Sequence, residues 1–307
     1  MFNLMSAVLV GGLAVLAFVG GVQAKPKESY AAQLSKWRAE QTQALTRPEG
    51  FLSVAGLDWL QDGENTVGSD ASSAVRLSAS AVPTRLGILN RVGGLITLKV
   101  EPGVSVHVTT DAGGTKEVVG SRTMLPITLR SDSTRVSVGK VSFMIITRGS
   151  RVGVRVFDTS CRGYREFKGQ KWYAANPRFV VEAKFVPYSP PKMVDITNVI
   201  GDKTPVPIVG YVEFTLDGKV CRLDAQGAGD GLFLNFKDLT SGKTTYPAGR
   251  FLDTPGPVDG KVLIDFNKAT NPPCAFTAFA TCPLPPAGNT LEVAVPAGEK
   301  THHPVYE

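Results

Sequence analysis

Glycine and proline cut this chain into short pieces, and that punctuation limits the folds open to it. There are 32 glycines and 21 prolines in 307 residues, above the roughly 12 % that the two contribute to average sequences. Such a density weighs against a helical bundle and toward short strands joined by turns. Between the breaks, residues 95–100 and 104–109 alternate apolar and polar side chains with period two, the mark of a half-buried strand, and Glu101-Pro102-Gly103 turns one into the other. Similar runs occupy 135–138, 141–147 and 152–157. A second set follows at 179–186, 208–216, 219–223, 232–236, 262–266 and 291–295. Asp217-Gly218 is a two-residue hairpin signal. Strands do not alternate with helices, so a parallel α/β sheet is not expected.

One helix is predicted ahead of the strands. Tyr30, Leu34, Trp37 and Leu45 recur at helical spacing between 28 and 45, and Pro48 and Gly50 stop the run. Leu34 and Trp37 are expected to pack it on a sheet. Residues 4–22 are almost wholly apolar or small and end in Val22-Gln23-Ala24, a small-x-small cleavage pattern. Residues 1–24 therefore read as a signal peptide and the protein as periplasmic or secreted, with an uncleaved N-terminal anchor as the alternative and no other membrane contact. The net charge of +6 is spread out, without the basic tail or motif of a nucleic-acid partner.

Four cysteines follow the leader. In an oxidising compartment Cys274 and Cys282, which bracket a short proline-bounded loop, are expected to form a disulfide; Cys161 and Cys221 are left without an assigned pairing. No Gly-x-Ser-x-Gly elbow or His-x-x-x-His zinc pair is present. Ser241-Gly-Lys-Thr244 ends like a phosphate-binding loop but lacks its first glycine, since Lys237 stands there, and reads as a plain turn. Of the three histidines, His107 alternates within a strand, while His302 and His303 lie in the tail. No metal and no cofactor is expected.

Two sets of motifs carry resemblances. Gly50-Phe-Leu-Ser-Val-Ala-Gly-Leu-Asp-Trp-Leu60 and Gly63-Glu-Asn-Thr-Val-Gly-Ser-Asp70 open the first. Phe236-Lys-Asp-Leu-Thr-Ser-Gly242, Gly249-Arg-Phe-Leu252, Asp265-Phe-Asn267, Asn271-Pro-Pro-Cys-Ala-Phe276, Thr281-Cys-Pro-Leu-Pro-Pro286 and Ala297-Gly-Glu-Lys300 complete it. Together they resemble DUF1684, a family of uncharacterised bacterial proteins, which implies no substrate. The second is weaker. Gly63 to Asp70, Val75-Arg-Leu77 and Val138-Gly-Lys-Val-Ser-Phe143 resemble the strand frame of a forkhead-associated β-sandwich. Ser69 stands where that family's phosphate-reading Arg is expected, and 83–87 hold no Ser-x-x-His. The resemblance implies the scaffold without phosphopeptide chemistry.

The expected architecture is all-β. It has a signal peptide (1–24), an N-terminal amphipathic helix (25–48), a forkhead-associated-like antiparallel sandwich (49–158), a polar linker (159–177), a second antiparallel domain built as a barrel or half-barrel (178–303), and a tail (304–307). Candidate site residues cluster in the second domain. Arg250, tethered beside Phe251 and Leu252, is suited to clamp a carboxylate or phosphate. Asp265 and Asn267, two apart on a predicted strand, share a face, with Tyr246 and Lys243 nearby in sequence. The first functional reading is binding of a small anionic ligand through Lys243, Tyr246, Arg250 and Asn267. The alternative is a hydrolase with Asp265 and Glu299 as acid–base pair and Arg250 as anion clamp. A second alternative is a cell-envelope interaction protein without a small-molecule site. An Arg250–Asp265 ion pair that anchors two strands is the purely structural reading of the same residues.

Overall fold

The computed structural model describes residues 28–77, 82–110, 113–122 and 126–302. The predicted leader, His303 and the tail lie outside the described residues. No helix among those described is long and apolar enough to cross a membrane.

Helix α1 spans Tyr30–Leu45. The Ser29 hydroxyl caps it by accepting from the Ala32 N–H at 3.3 Å. It ends at Thr46, whose N–H and hydroxyl both reach the Thr42 carbonyl. The chain then folds back so tightly that a Cβ on Gly50 would lie 2.2 Å from the Leu45 carbonyl oxygen, which is why a glycine follows Pro48. Leu34 is its buried residue. Trp37 meets Trp172 edge-on at 5.7 Å, and Tyr30 and Arg38 reach Asp265 and Asn267, more than two hundred residues away.

The described residues of 54–158 form eleven strands. They are β1 (Val54–Trp59), β2 (Gly63–Gly68), β3 (Val75–Arg76), β4 (Gly87–Val92), β5 (Leu95–Val100), β6 (Ser105–Thr109), β7 (Thr115–Val119), β8 (Ile127–Leu129), β9 (Arg135–Val138), β10 (Val141–Arg148) and β11 (Arg151–Asp158). One sheet runs β1-β11-β10-β9-β6-β7 and the other β3-β2-β4-β5-β8. All pairs are antiparallel except the two-residue contact of β2 with β3. Leu89, Leu98, Val106, Phe143, Ile145 and Val154 belong to one buried cluster between the sheets. Each fully buried side chain of this size stabilises the sandwich by about 1.5–3 kcal/mol.

The second half is the barrel. Strands β12 (Val180–Thr197), β13 (Lys203–Leu216), β14 (Lys219–Ala228), β15 (Gly231–Phe236), β16 (Arg250–Pro255) and β17 (Lys261–Asp265) follow the order β16-β15-β14-β13-β12-β17 in one antiparallel, nearly closed sheet. Asp217 and Gly218 take positive φ of 52° and 75° between β13 and β14, as a right-twisted hairpin requires. Phe236 and Phe214 pack on Phe266 in the interior, with ring centroids 5.4 and 5.6 Å away.

Two predicted strand features take another form. Asp265 ends β17, and Phe266–Lys268 is a 3₁₀ turn capped by the Asp265 carboxylate. Asp265 and Asn267 therefore do not share a strand face. Residues 291–295 join no ladder. Leu291, Val293, Val295 and Ala297 still alternate into the barrel core, because burial on one side suffices to impose period two.

The polar stretch 159–177, predicted as a linker, is strapped across both halves. Its one helical turn is α2 (Arg162–Arg165). The Tyr164 hydroxyl donates to the Thr46 carbonyl at 2.9 Å, Phe167 packs edge-on against Phe276, and the Tyr173 N–H donates to the Gly298 carbonyl at 2.9 Å.

Candidate functional site

Arg250 opens β16 and is wholly buried. Its Nη2 donates to Asp238 Oδ2 at 2.6 Å and to the Val295 carbonyl at 3.0 Å, and its Nη1 donates to the Ala297 carbonyl. The guanidinium lies 5.2 Å from the centre of the Phe236 ring. Asp238 is engaged in turn, because Oδ1 accepts from the backbone and hydroxyl of Thr240 and from the Val295 N–H. This is a closed internal ion pair. Arg250 is therefore corrected from ligand clamp to core cation, with Asp238 rather than Asp265 as its partner. Lys243 stands exposed on the turn between Thr240 and Thr245 and joins no site.

Asp265 and Asn267 fasten the helix. Tyr30 donates to both carboxylate oxygens of Asp265, which also accepts from the Asn267 amide and backbone N–H. Burial and Asp265 together push the Tyr30 hydroxyl up. Asn267 clamps Asn176 through two hydrogen bonds of 2.9 Å. Glu299 is wholly buried, with Oε2 accepting from the Asn271 N–H at 2.8 Å. Among the described residues no hydrogen bond joins it to Asp265, which is engaged by Tyr30 and Asn267 instead.

Glu299 has its own character. Its Oε1 and the neighbouring Asn271 Oδ1 are buried without a hydrogen-bond partner among the described residues. Burial pushes the carboxyl up to about 7, against the pull of Asn271 and Gln170. Gln170, Thr270 and Asn271 line a cavity of about 420 Å³ whose far wall is Gln41, Arg47 and Phe51.

A second cavity, of about 230 Å³, lies between sandwich and barrel. Arg148 and Arg155 face it from the sandwich, and Pro273, Thr281 and Cys282 face it from the barrel half, with Phe51 shared between both cavities. Arg148 Nε donates to Thr281 Oγ1 at 3.0 Å. Arg155 is 8 % exposed, and its Nε has no partner. Neither arginine forms an ion pair among the described residues. Burial, and after it Arg148, weakens the hold of Arg155 on its charge, while Asp132 and Cys282 oppose this through space. An unpaired buried cation costs several kcal/mol, and an anion in the cavity would remove that cost.

The cysteines meet this cavity. The expected Cys274–Cys282 disulfide is absent and both residues are thiols. Hydrogen bonds hold the loop in its place: the Cys274 N–H donates to Cys282 Sγ at 3.2 Å, the two thiols bond to each other, and Thr277 Oγ1 donates to the Val54 carbonyl at 2.8 Å. Tyr246, expected from sequence to bind a ligand with Arg250, packs against Cys274 and Cys282. Its hydroxyl donates to the Cys274 carbonyl at 2.9 Å and also reaches the Cys274 thiol. Contact with the Cys282 sulfur, helped by Tyr246, pulls Cys274 down, while contact with the Cys274 sulfur and burial push Cys282 up. The other two cysteines stay apart, Cys221 in the barrel core and Cys161 on the Leu52 carbonyl.

The motifs that build these surroundings run from the strap to Lys300, and residues 165–300 match a family described as protein of unknown function, DUF1684. Over that stretch the chain belongs to the DUF1684 family. A solution NMR structure of an uncharacterised protein from Haloarcula marismortui is 35 % identical to it. That match covers 45 % of this chain and 78 % of the other, with a TM-score of 0.38. No curated protein matches the chain. Within the DUF1684 stretch lie Tyr246, Cys274, Cys282 and Glu299, whereas Arg148 and Arg155 come from the preceding sandwich.

Sequence reasoning missed Arg148 and Arg155. In β11, Arg151, Gly153 and Arg155 alternate with Val152, Val154 and Val156, so the arginines read as a solvent face. That face is covered by Phe51 and the 273–283 segment. The signal was an arginine on a strand with no acidic residue opposite it: Arg155 pairs with Leu57 and Met144.

Proposed function

We propose that this DUF1684 protein binds a small oxyanion at the junction of sandwich and barrel, with Arg148 and Arg155 as the clamp. One observation carries the reading: Arg155 is buried on a cavity wall beside a second arginine, with its Nε unpartnered and with no ion pair among the described residues. Guanidinium groups bind carboxylates and phosphates bidentately. A cavity of about 230 Å³ lies below the usual 300–1,000 Å³ of drug-sized ligand sites, which favours a compact anion or the charged end of a longer molecule. The anionic class expected from sequence is kept, and the clamp moves from Arg250 to the junction. The apolar leader at 4–22 supports placing this binding outside the cytoplasm.

Thermal unfolding with phosphate, sulfate and chloride at matched ionic strength tests the proposal. Phosphate or sulfate is expected to raise the midpoint in a saturable way, and Arg155→Met and Arg148→Met are expected to abolish the rise. No rise in the unaltered protein, or an equal rise in Arg155→Met, overturns it.

A further inference from the structure

Cys282 forms part of the wall that Arg148 and Arg155 face, and Cys274 is buried against it, its N–H on Cys282 Sγ at 3.2 Å. The seven residues between them are anchored through Thr277 to Val54 and by the Phe279 N–H on Thr277 Oγ1. The two sulfurs are thus held together by the surrounding fold without a covalent bond. The Tyr246 hydroxyl hydrogen-bonds the Cys274 sulfur and so favours its thiolate. That thiolate is the base that takes the proton of the neighbouring Cys282 thiol, which frees Cys282 Sγ, the sulfur on the cavity wall, to attack a disulfide and leaves Cys274 as its resolving partner.

We propose that Cys274 and Cys282 are a redox-active dithiol that reduces small anionic disulfides drawn to Arg148 and Arg155. The substrate class rests on the anion reading above. In the first step the Cys274 thiolate takes the proton of the Cys282 thiol as Cys282 Sγ attacks one sulfur of the substrate R–S–S–R. A Cys282–S–S–R bond forms, and R–S⁻ leaves. In the second step Cys274 gives its proton to solvent, attacks Cys282 Sγ and expels the other R–S⁻. The protein ends with a Cys274–Cys282 disulfide, oxidised by two electrons, and the substrate ends as two thiolates.

The test uses the reduced full chain with two disulfide probes, the dianionic dithiobis(nitrobenzoate) and the neutral dithiodipyridine. Both cysteines fall in the single tryptic peptide 269–300, so mass mapping separates them from Cys161 and Cys221. Closure is expected: the peptide loses the mass of two hydrogens and retains no adduct. Cys274→Ser and Cys282→Ser are each expected to stop at a stable mixed disulfide on the remaining cysteine. Arg155→Met is expected to slow the anionic probe about tenfold while leaving the neutral probe nearly unchanged, as loss of a steering charge predicts. A peptide that keeps both thiols, or carries two adducts, overturns the dithiol and leaves the phosphate result untouched. Closure at the same rate with both probes and unaffected by Arg155→Met overturns the anionic substrate, and a missing phosphate shift would then show that the clamp itself had failed.

Discussion

Asp238 receives the Arg250 guanidinium at 2.6 Å with both side chains entirely out of water. The pair joins the loop after β15 to the segment that plugs the barrel, because the same guanidinium also holds the carbonyls of Val295 and Ala297. Breaking it leaves a charge stranded. Arg250→Leu and Asp238→Asn are each expected to cost about 3–5 kcal/mol. The double variant is expected to cost less than the two singles summed, and a urea-unfolding cycle measures that coupling. Phosphate binding by whatever fraction stays folded is expected to be unchanged, since the pair is no part of the clamp.

Arg155 predicts the opposite sign. In a buffer without small oxyanions, Arg155→Met is expected to raise stability by about 1 kcal/mol or more, since it removes an unbalanced buried cation and keeps the packing volume. Urea unfolding in chloride alone reads this. In saturating phosphate the order of the two proteins should narrow or reverse.

Glu299 gives the protein a pH signature. Its native carboxyl titrates near 7, above the ordinary 4.5, so between those values the native state holds a proton that the unfolded state has lost. Stability from this group is complete below about 4.5 and declines as pH rises through 7, by roughly 3 kcal/mol in all. Urea midpoints between pH 5 and 8 should therefore fall for the native sequence, and Glu299→Gln should flatten the slope. A fall of equal steepness in Glu299→Gln would assign the effect to other groups.

The helix is fastened by a few polar contacts, so its loss should be graded. Tyr30→Phe removes the donor to Asp265 and is expected to cost about 1–2 kcal/mol. Trp37 and Trp172 meet edge-on at 5.7 Å, so undocking should shift tryptophan emission. A two-step fluorescence transition in Tyr30→Phe, with the helix leaving before the barrel melts, would match this placement.

Gly298 sits at φ +77°, where a Cβ would come within 2.5 Å of the Ala269 carbonyl oxygen. Gly298→Ala is expected to cost about 2 kcal/mol or more through strain and displacement, and to disturb the neighbouring Glu299. Its urea midpoint should drop, and the pH slope assigned to Glu299 should weaken with it.

Much of the architecture was legible because local rules sufficed. Asp217-Gly218 marked its hairpin through the positive φ that only such residues accept cheaply, and α1 declared itself by spacing and by its stop at Pro48 and Gly50. What failed was non-local. Nothing in 28–45 indicates that Tyr30 meets Asp265. The alternation of 291–295 records burial, yet cannot distinguish a ladder strand from a plug held by Arg250. Tyr246 and Cys282 were singled out but not placed together, and their cationic neighbours come from β10 and β11. A site assembled where two domains abut leaves no single stretch of chain with its pattern.

The docking of α1 against the turn after β17 also sets an order of events. The helix leaves the ribosome first, and the residue that receives Tyr30 follows 235 positions later. At ordinary rates of synthesis that interval is on the order of tens of seconds. Throughout it the nascent chain carries an amphipathic segment with nowhere to dock, while the sandwich beside it is already able to close. Completion of the barrel is thus the event that gives the helix its seat.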